Sequence, residues 1–560
     1  MTTADYAFDR YLRYDELTSW LHGVAEANPD LVTVEQYGTS YEGRPLWLVT
    51  ITDHATGAHD TKPAHWVDAS IHAVELTATV SACHLIRYLV TGHATSDPTI
   101  VEALETRTFY VVPRVNPDGA EWALADRPKF RRSSVRPWPW ADGVRLPGLH
   151  VADIDGDGRI LDMRIADVDG AWMPHPDDAR LMIPVPAEGP PTGTSRYRLL
   201  VEGTVDDYDN FTIPKPRPPE ALDLNRNFPA GWAPGVTGSG DHPLSEPEID
   251  ALVRAIVARP NICGYNAYHT SGGVILRPSS MVADAKLPRG DIWVWTQLAE
   301  RGTALTGYTS HSIFEDFTWD PSDTMSGAAD DWVYEHLGIY GWTTEYWDVV
   351  MAATGHKQST YFWYHGPTDE EALAVLRWCD EHHPGGHVDW YPFEHPQLGP
   401  VELGGWDTLS VWDNPPVGLL GAEVAPHAEF AVHQALCSPR LEIRRTAVTR
   451  LGGDTWRVEV GLANTGWLPT DVSKRARKER LVKPIVVELT GDGVDVLDKP
   501  ARREVGQLEG RAATRFAYGN DGTPDRVLVT WSVTAQEGAV VTIVAKHDRS
   551  GQVSVTCPLE

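Results

Sequence analysis

Residues 66–89 read WVDASIHAVELTATVSACHLIRYL. The short apolar run from Trp66 to Ile71 has the pattern of a strand buried on both faces, and Leu76 to Leu89 then repeats apolar side chains at helical spacing. A buried strand feeding a buried helix is the building unit of an α/β sheet. Between them lie His72 and Glu75, an imidazole and a carboxylate three residues apart at a strand-to-helix junction, where both can point at one ion. Alone, such an H-x-x-E is weak evidence and is more often an ordinary strand-to-helix junction.

Outward from this unit the same rhythm holds from about residue 14 to 380. Strands are expected at Thr108–Val112, Gly264–His269 and Trp342–Tyr346, and helices at Tyr14–Glu26 and Glu246–Ala258. Ser245 and Glu248 stand at the spacing of a capping box for the latter, with Ile249, Leu252, Val253 and Ile256 on one face. The stretch 137–219 breaks the pattern with Pro, Gly and Asp and reads as an insertion without a core of its own. Residues 1–390 are therefore expected to form one α/β domain carrying that insertion. Residues 391–439 form a connector with a helix near Leu419–Leu436. Period-two runs such as Trp456, Val458, Val460, Leu462 and Val527, Val529, Trp531, Val533 make 440–560 an antiparallel β-sandwich.

Composition narrows the function classes. The 560 residues hold 48 Lys+Arg against 78 Asp+Glu, a formal charge of −30 that disfavours nucleic acid and anionic membrane surfaces as partners. The basic run Lys474, Arg475, Arg477, Lys478, Arg480, Lys483 reads as a solvated loop or edge strand. There is no apolar stretch of membrane-spanning length and no signal-like start, so a cytoplasmic location is expected. Five scattered cysteines exclude a disulfide framework or a cysteine-rich zinc module. Oligomeric state is not legible.

The His72/Glu75 pair gains meaning from its company: Asn116-Pro117-Asp118-Gly119 after one strand, Asp223-Leu224-Asn225-Arg226-Asn227, His269 closing another strand, and Glu345 within a third. Two histidines and a carboxylate with a fourth position open is the donor set of catalytic zinc.

With these motifs in this order, roughly residues 12–385 resemble the zinc carboxypeptidase family, the carboxypeptidase A-like or funnelin metallopeptidases. The resemblance implies a mixed, mostly parallel sheet flanked by helices and one zinc ion held by His72, Glu75 and His269. It implies that Glu345, thirteen residues after Trp332, is the catalytic glutamate, and that Asn225 and Arg226 grip the substrate's terminal carboxylate. Arg131 falls where the family keeps its oxyanion-stabilising arginine, with Arg132 adjacent, and Asp223 where an acid accepts the far N–H of His72. Asp330 matches the position at which basic-specific members keep an acid at the base of the side-chain pocket, favouring C-terminal Lys or Arg or the amine of diaminopimelate; a solvated or capping aspartate is the alternative. Two positions depart from the family. Val74 replaces an arginine before the glutamate ligand, and Asp323 stands where a mobile tyrosine is usual.

In the insertion, Asp153, Asp155 and Asp157 with Gly158 resemble the first half of a calcium loop. Position twelve, however, is Arg164, with Asp162 the one substitute, so acidic hairpin turns compete with Ca2+.

The expectation is a zinc metallocarboxypeptidase acting on peptides with a free C-terminus. The alternatives are a zinc amidase or peptidase working on cell-wall peptides or acylated amino acids, and a zinc- or peptide-binding protein with little turnover.

Overall fold

The computed structural model describes residues 6–140, 144–317, 324–359, 365–498, 500–516 and 521–560. Its centre is an eight-stranded sheet of β1 (Val32–Thr39), β2 (Pro45–Ile51), β3 (Ala64–Ala69), β4 (Thr108–Val112), β5 (Ile262–Thr270), β6 (Val274–Arg277), β7 (Thr309–Ser312) and β8 (Tyr340–Tyr346), in the order β1-β2-β4-β3-β5-β8-β6-β7. The inner pairs β4/β3, β3/β5 and β5/β8 are parallel, as is the edge pair β6/β7, and the remaining pairings are antiparallel. Parallel strands need both faces covered, which is why β3 is buried at all six positions.

Alternate strand residues feed two cores. Val67, Val111 and Tyr268 face Trp20, Leu85 and Leu89 of helices Tyr14–Ala27 and Leu76–Ala94, together with Val424 and Ala431 of helix Leu420–Leu436. Trp66, Tyr110 and Tyr265 face Ile249, Leu252 and Ile256 of helix Pro247–Val257 and Trp332 and Val333 of helix Ala329–Leu337. Each such side chain, fully buried, contributes about 1.5–3 kcal/mol before entropy is counted.

Three local expectations are corrected. The Ser245/Glu248 capping box is not made: Pro247 opens the helix after Glu246, and Glu248 instead accepts from the Tyr41 amide at 2.7 Å. Lys474, Arg475, Arg477 and Lys478 of the basic run lie in a short helix, Lys474–Glu479, capped by Ser473 and seated on Asp291, which accepts from the amides of Lys474 and Arg475, while Arg480 and Lys483 lie beyond it. The insertion has a small core after all, built with chain assigned by sequence to the connector. Strands His387–His395 and Gly399–Trp406 join Asp162–Ala166, Tyr197–Val201, Trp172–Pro174 and Met182–Pro184 in one six-stranded sheet, burying Met163, Leu200, Val401 and Leu403 together.

Residues Leu441 to Pro558 form two four-stranded antiparallel sheets, with Trp456, Val458, Val460, Val529, Trp531 and Val533 of one packed on Val487, Leu489, Val541 and Ile543 of the other. Among the described residues no helix is long and apolar enough to cross a membrane.

Candidate metal centre

The site lies where β3, β5 and β8 end together. Ser70, held at a positive φ of 53° with its hydroxyl donating to Glu75 O, turns the chain out of β3, so that His72 and Glu75 face back across the strand ends. Asn116 fixes this turn: its side chain accepts from the Gly119 amide and donates to Ser133 O, while the Ala73 amide donates to Arg132 O. Gly119 is obligatory here, since a Cβ would lie 2.7 Å from Ala73 Cβ and 2.8 Å from Ser133 O. The Asn-Pro-Asp-Gly motif is thus a clamp on the loop that bears His72.

His72, Glu75 and His269 are brought together and buried. His72 Nδ1 is 2.6 Å from Glu75 Oε1, His269 Nδ1 is 2.9 Å from Glu75 Oε2, and the two Nδ1 atoms are 3.2 Å apart. Two nitrogens bound to one tetrahedral zinc at ~2.05 Å would be ~3.3 Å apart, so this donor set fits the ion. Burial would raise Glu75, but the His72 and His269 rings outweigh it and hold the carboxyl below its usual range, ready as an anionic ligand.

Asp223 lies behind His72, its Oδ1 3.1 Å from Nε2 and its Oδ2 accepting from Arg132 Nε at 3.1 Å. Burial pushes Asp223 up, yet Arg132 and then His72 hold it well below the carboxylate range. Fixed by this bond, His72 presents Nδ1 to the ion site.

β5 and β8 run in register with His269 opposite Glu345. Glu345 Oε2 is buried without a partner among the described residues, and burial, reinforced by Glu75 and Asp330 against His269 and Arg132, pushes the carboxyl up to about 8. The expected arginine is corrected. Arg131 turns away to pair with Glu220 at 2.6 Å, whereas Arg132, 56% exposed, reaches within 3.6 Å of Glu75 and lines a cavity of about 800 Å³ with Asp223 and Arg226. Arg226 donates only to the neighbouring Asn225 carbonyl, leaving its guanidinium without a carboxylate among the described residues. Asn225 Oδ1 instead caps helix Ala329–Leu337 through the Ala329 amide. Asp330, in that helix's first turn, is buried with Oδ2 unpartnered among the described residues. Asp323 lies outside the described residues.

A family model described as zinc carboxypeptidase matches residues 17–140 and 206–359. The chain belongs to the zinc carboxypeptidase family. The two matched segments bracket most of the insertion, and His72, Glu75, Asp223, His269 and Glu345 all fall inside them. Residues 440–558 match a second model, described as a domain of unknown function (DUF8731). A carboxypeptidase B of Astacus astacus is 35% identical over 123 residues, 22% of this chain and 38% of that protein. A zinc carboxypeptidase A 1 of Drosophila melanogaster is 35% identical over 118 residues, 21% of this chain and 27% of that protein. The chain thus spans well under half the length of either relative. The carboxypeptidase A structure from Helicoverpa armigera aligns over 66% of this chain and 73% of its own, at 18% identity and a TM-score of 0.38.

The zinc carboxypeptidase domain has a wall that motif reading missed. Asn414, at the end of the turn Leu409–Asp413, accepts from the Thr77 amide and hydroxyl and donates to Val74 O at 2.8 Å, bracing the chain on either side of Glu75. Trp347, two residues past Glu345 and at a left-handed φ of 69°, donates from its indole to Val411 O and from its amide to Glu423 and the Tyr308 hydroxyl. The calcium expectation is not supported. Asp153 accepts from the amides of Gly156 and Gly158, Asp157 pairs with Arg159, and Arg164 turns to Glu402, which are the bonds of acidic turns.

Proposed function

We propose that this chain is a zinc metallocarboxypeptidase that releases C-terminal residues from peptides and favours those with a cationic side chain. The observation that carries the reading is the in-register placement of Glu345 beside His269 in a cluster whose other donors are His72 and Glu75.

Bound by His72, Glu75 and His269, zinc supplies Lewis-acid polarisation of the scissile carbonyl and acidifies a water. The chain's own groups do the rest. Arg226 offers a planar fork to the substrate's terminal carboxylate. Glu345 accepts the proton of the attacking water and returns it to the leaving amine. Arg132 supplies the cation for the developing oxyanion, on the order of 3 kcal/mol for one well-placed donor. Asp330, buried with an oxygen unpartnered among the described residues and standing at the position where the resemblance expects a pocket acid, is the group assigned to a cationic substrate side chain, since an unpaired buried carboxylate is costly until an ammonium or guanidinium meets it.

Comparing C-terminal Arg, Lys, Leu and Glu on one peptide body tests this. Preference for Arg or Lys that vanishes in Asp330→Asn supports the reading, and preference for Leu or Glu contradicts it.

A further inference from the structure

The cavity that meets the ligand group through Arg132 and Asp223 has more cation than the mechanism uses. Arg132, Arg217 and Arg226 line it, against Glu220 and Asp223. Both acids are already engaged, Glu220 by Arg131 and Asp223 by His72 and Arg132. Arg226 is taken by the substrate's terminal carboxylate in the reading above. Arg217 has no carboxylate partner among the described residues; its closest polar contact is Thr237 Oγ1 at 3.4 Å.

Arg217 is also held for use. It lies between Pro216 and Pro218, whose rings restrict the local backbone. Its guanidinium carbon lies 5.4 Å from the centre of the Trp138 ring, and that ring is pinned by its indole N–H donating to Asp241 at 3.2 Å. Arg107, Arg114 and Arg549 also lack a carboxylate, but they are buried and spend their donors on backbone carbonyls, whereas Arg217 keeps its guanidinium on the cavity wall with one long bond to a threonine, where an anion can meet it.

We infer that Arg217 binds a second carboxylate of the substrate, so that the preferred peptide carries an acidic group in addition to its C-terminus. The inference rests on the carboxypeptidase reading and names its substrate class. The second carboxylate can belong to an acidic residue upstream of the scissile bond or to the departing residue itself.

Three probes separate these sources: acetyl-Ala-Lys, acetyl-Glu-Lys and acetyl-Ala-diaminopimelate. Turnover is measured with the zinc-loaded full chain, and affinity by calorimetry in a Glu345→Gln background. The wild type should prefer one of the two acidic probes over acetyl-Ala-Lys by about 10-fold, and Arg217→Gln should abolish that ratio while Arg217→Lys keeps part of it. Equal handling of all three probes by the wild type, or a ratio that survives Arg217→Gln, overturns the inference while leaving the peptidase intact. Failure of every probe to bind or react removes the carboxypeptidase reading and this inference together.

Discussion

His269 and Glu345 are register partners on the parallel strands β5 and β8, and this single pairing brings a candidate metal ligand and the carboxyl proposed as general base to one place from 76 positions apart in the chain. A side chain's face alternates along a strand, so a slip of one residue would turn Glu345 away from the site. Sheet register is what couples the fold to the chemistry.

If Glu345 handles the proton, Glu345→Gln should lower kcat by about 10³-fold with little change in KM, since the amide keeps the shape and loses the base. Single-turnover assays on a peptide ending in Arg check this, and a loss under 10-fold would reassign the role.

The two adjacent arginines make opposite predictions. Arg132→Gln should reduce kcat/KM by about 10²- to 10³-fold, as loss of an oxyanion donor does. Arg131→Gln breaks its bond to Glu220 and should lower Tm by no more than about 2 °C with less than about 3-fold in kcat/KM. Steady-state kinetics on both variants settles the pair.

These arginines also mark the limit of what the sequence could tell. His72, Glu75, His269 and Glu345 sit at strand ends, where a local pattern fixes position and direction. Arg131 and Arg132 follow Phe130 in aperiodic chain, and what separates them is distant in sequence: the Ala73 amide donates to Arg132 O and Asp223 accepts from its side chain, while Glu220 takes Arg131. The wall formed by Asn414 and Val411 depends on contacts such as Asn414 to Val74, 340 residues apart, which no local signal carries. For the same reason the insertion looked coreless: Val401 and Leu403, which complete its core, arrive from a hairpin about 200 residues later.

Asn414→Ala should weaken zinc retention by about 10-fold, because the bonds bracing Val74 and Thr77 on either side of Glu75 are lost. Competition with a chromogenic chelator measures this. Unchanged retention would mean that helix Leu76–Ala94 holds Glu75 without the turn.

Glu248 offers a pH test away from the site. Burial pushes its carboxyl from the ordinary 4.5 up to about 7, with Asp118 and Glu246 adding to the rise and the Tyr41 amide opposing it. A raised folded-state pKa means stability present below about 4.5 and lost as pH climbs through about 7, with an upper bound of about 3 kcal/mol at ~1.4 kcal/mol per pKa unit. Glu248→Gln should therefore raise Tm relative to wild type at pH 8 and bring no gain at pH 4.5. A gain of equal size at both values would contradict the assignment.

The most direct test is mass spectrometry of a peptide ending in Arg incubated with the zinc-loaded full chain, its Glu345→Gln variant and a His269→Ala variant scored for zinc content. The account predicts about one zinc per wild-type chain, loss of a single C-terminal residue by the wild type alone, and zinc retained by Glu345→Gln but lost by His269→Ala. Internal cleavage, or C-terminal release that persists in Glu345→Gln or in the zinc-depleted His269→Ala protein, would contradict it.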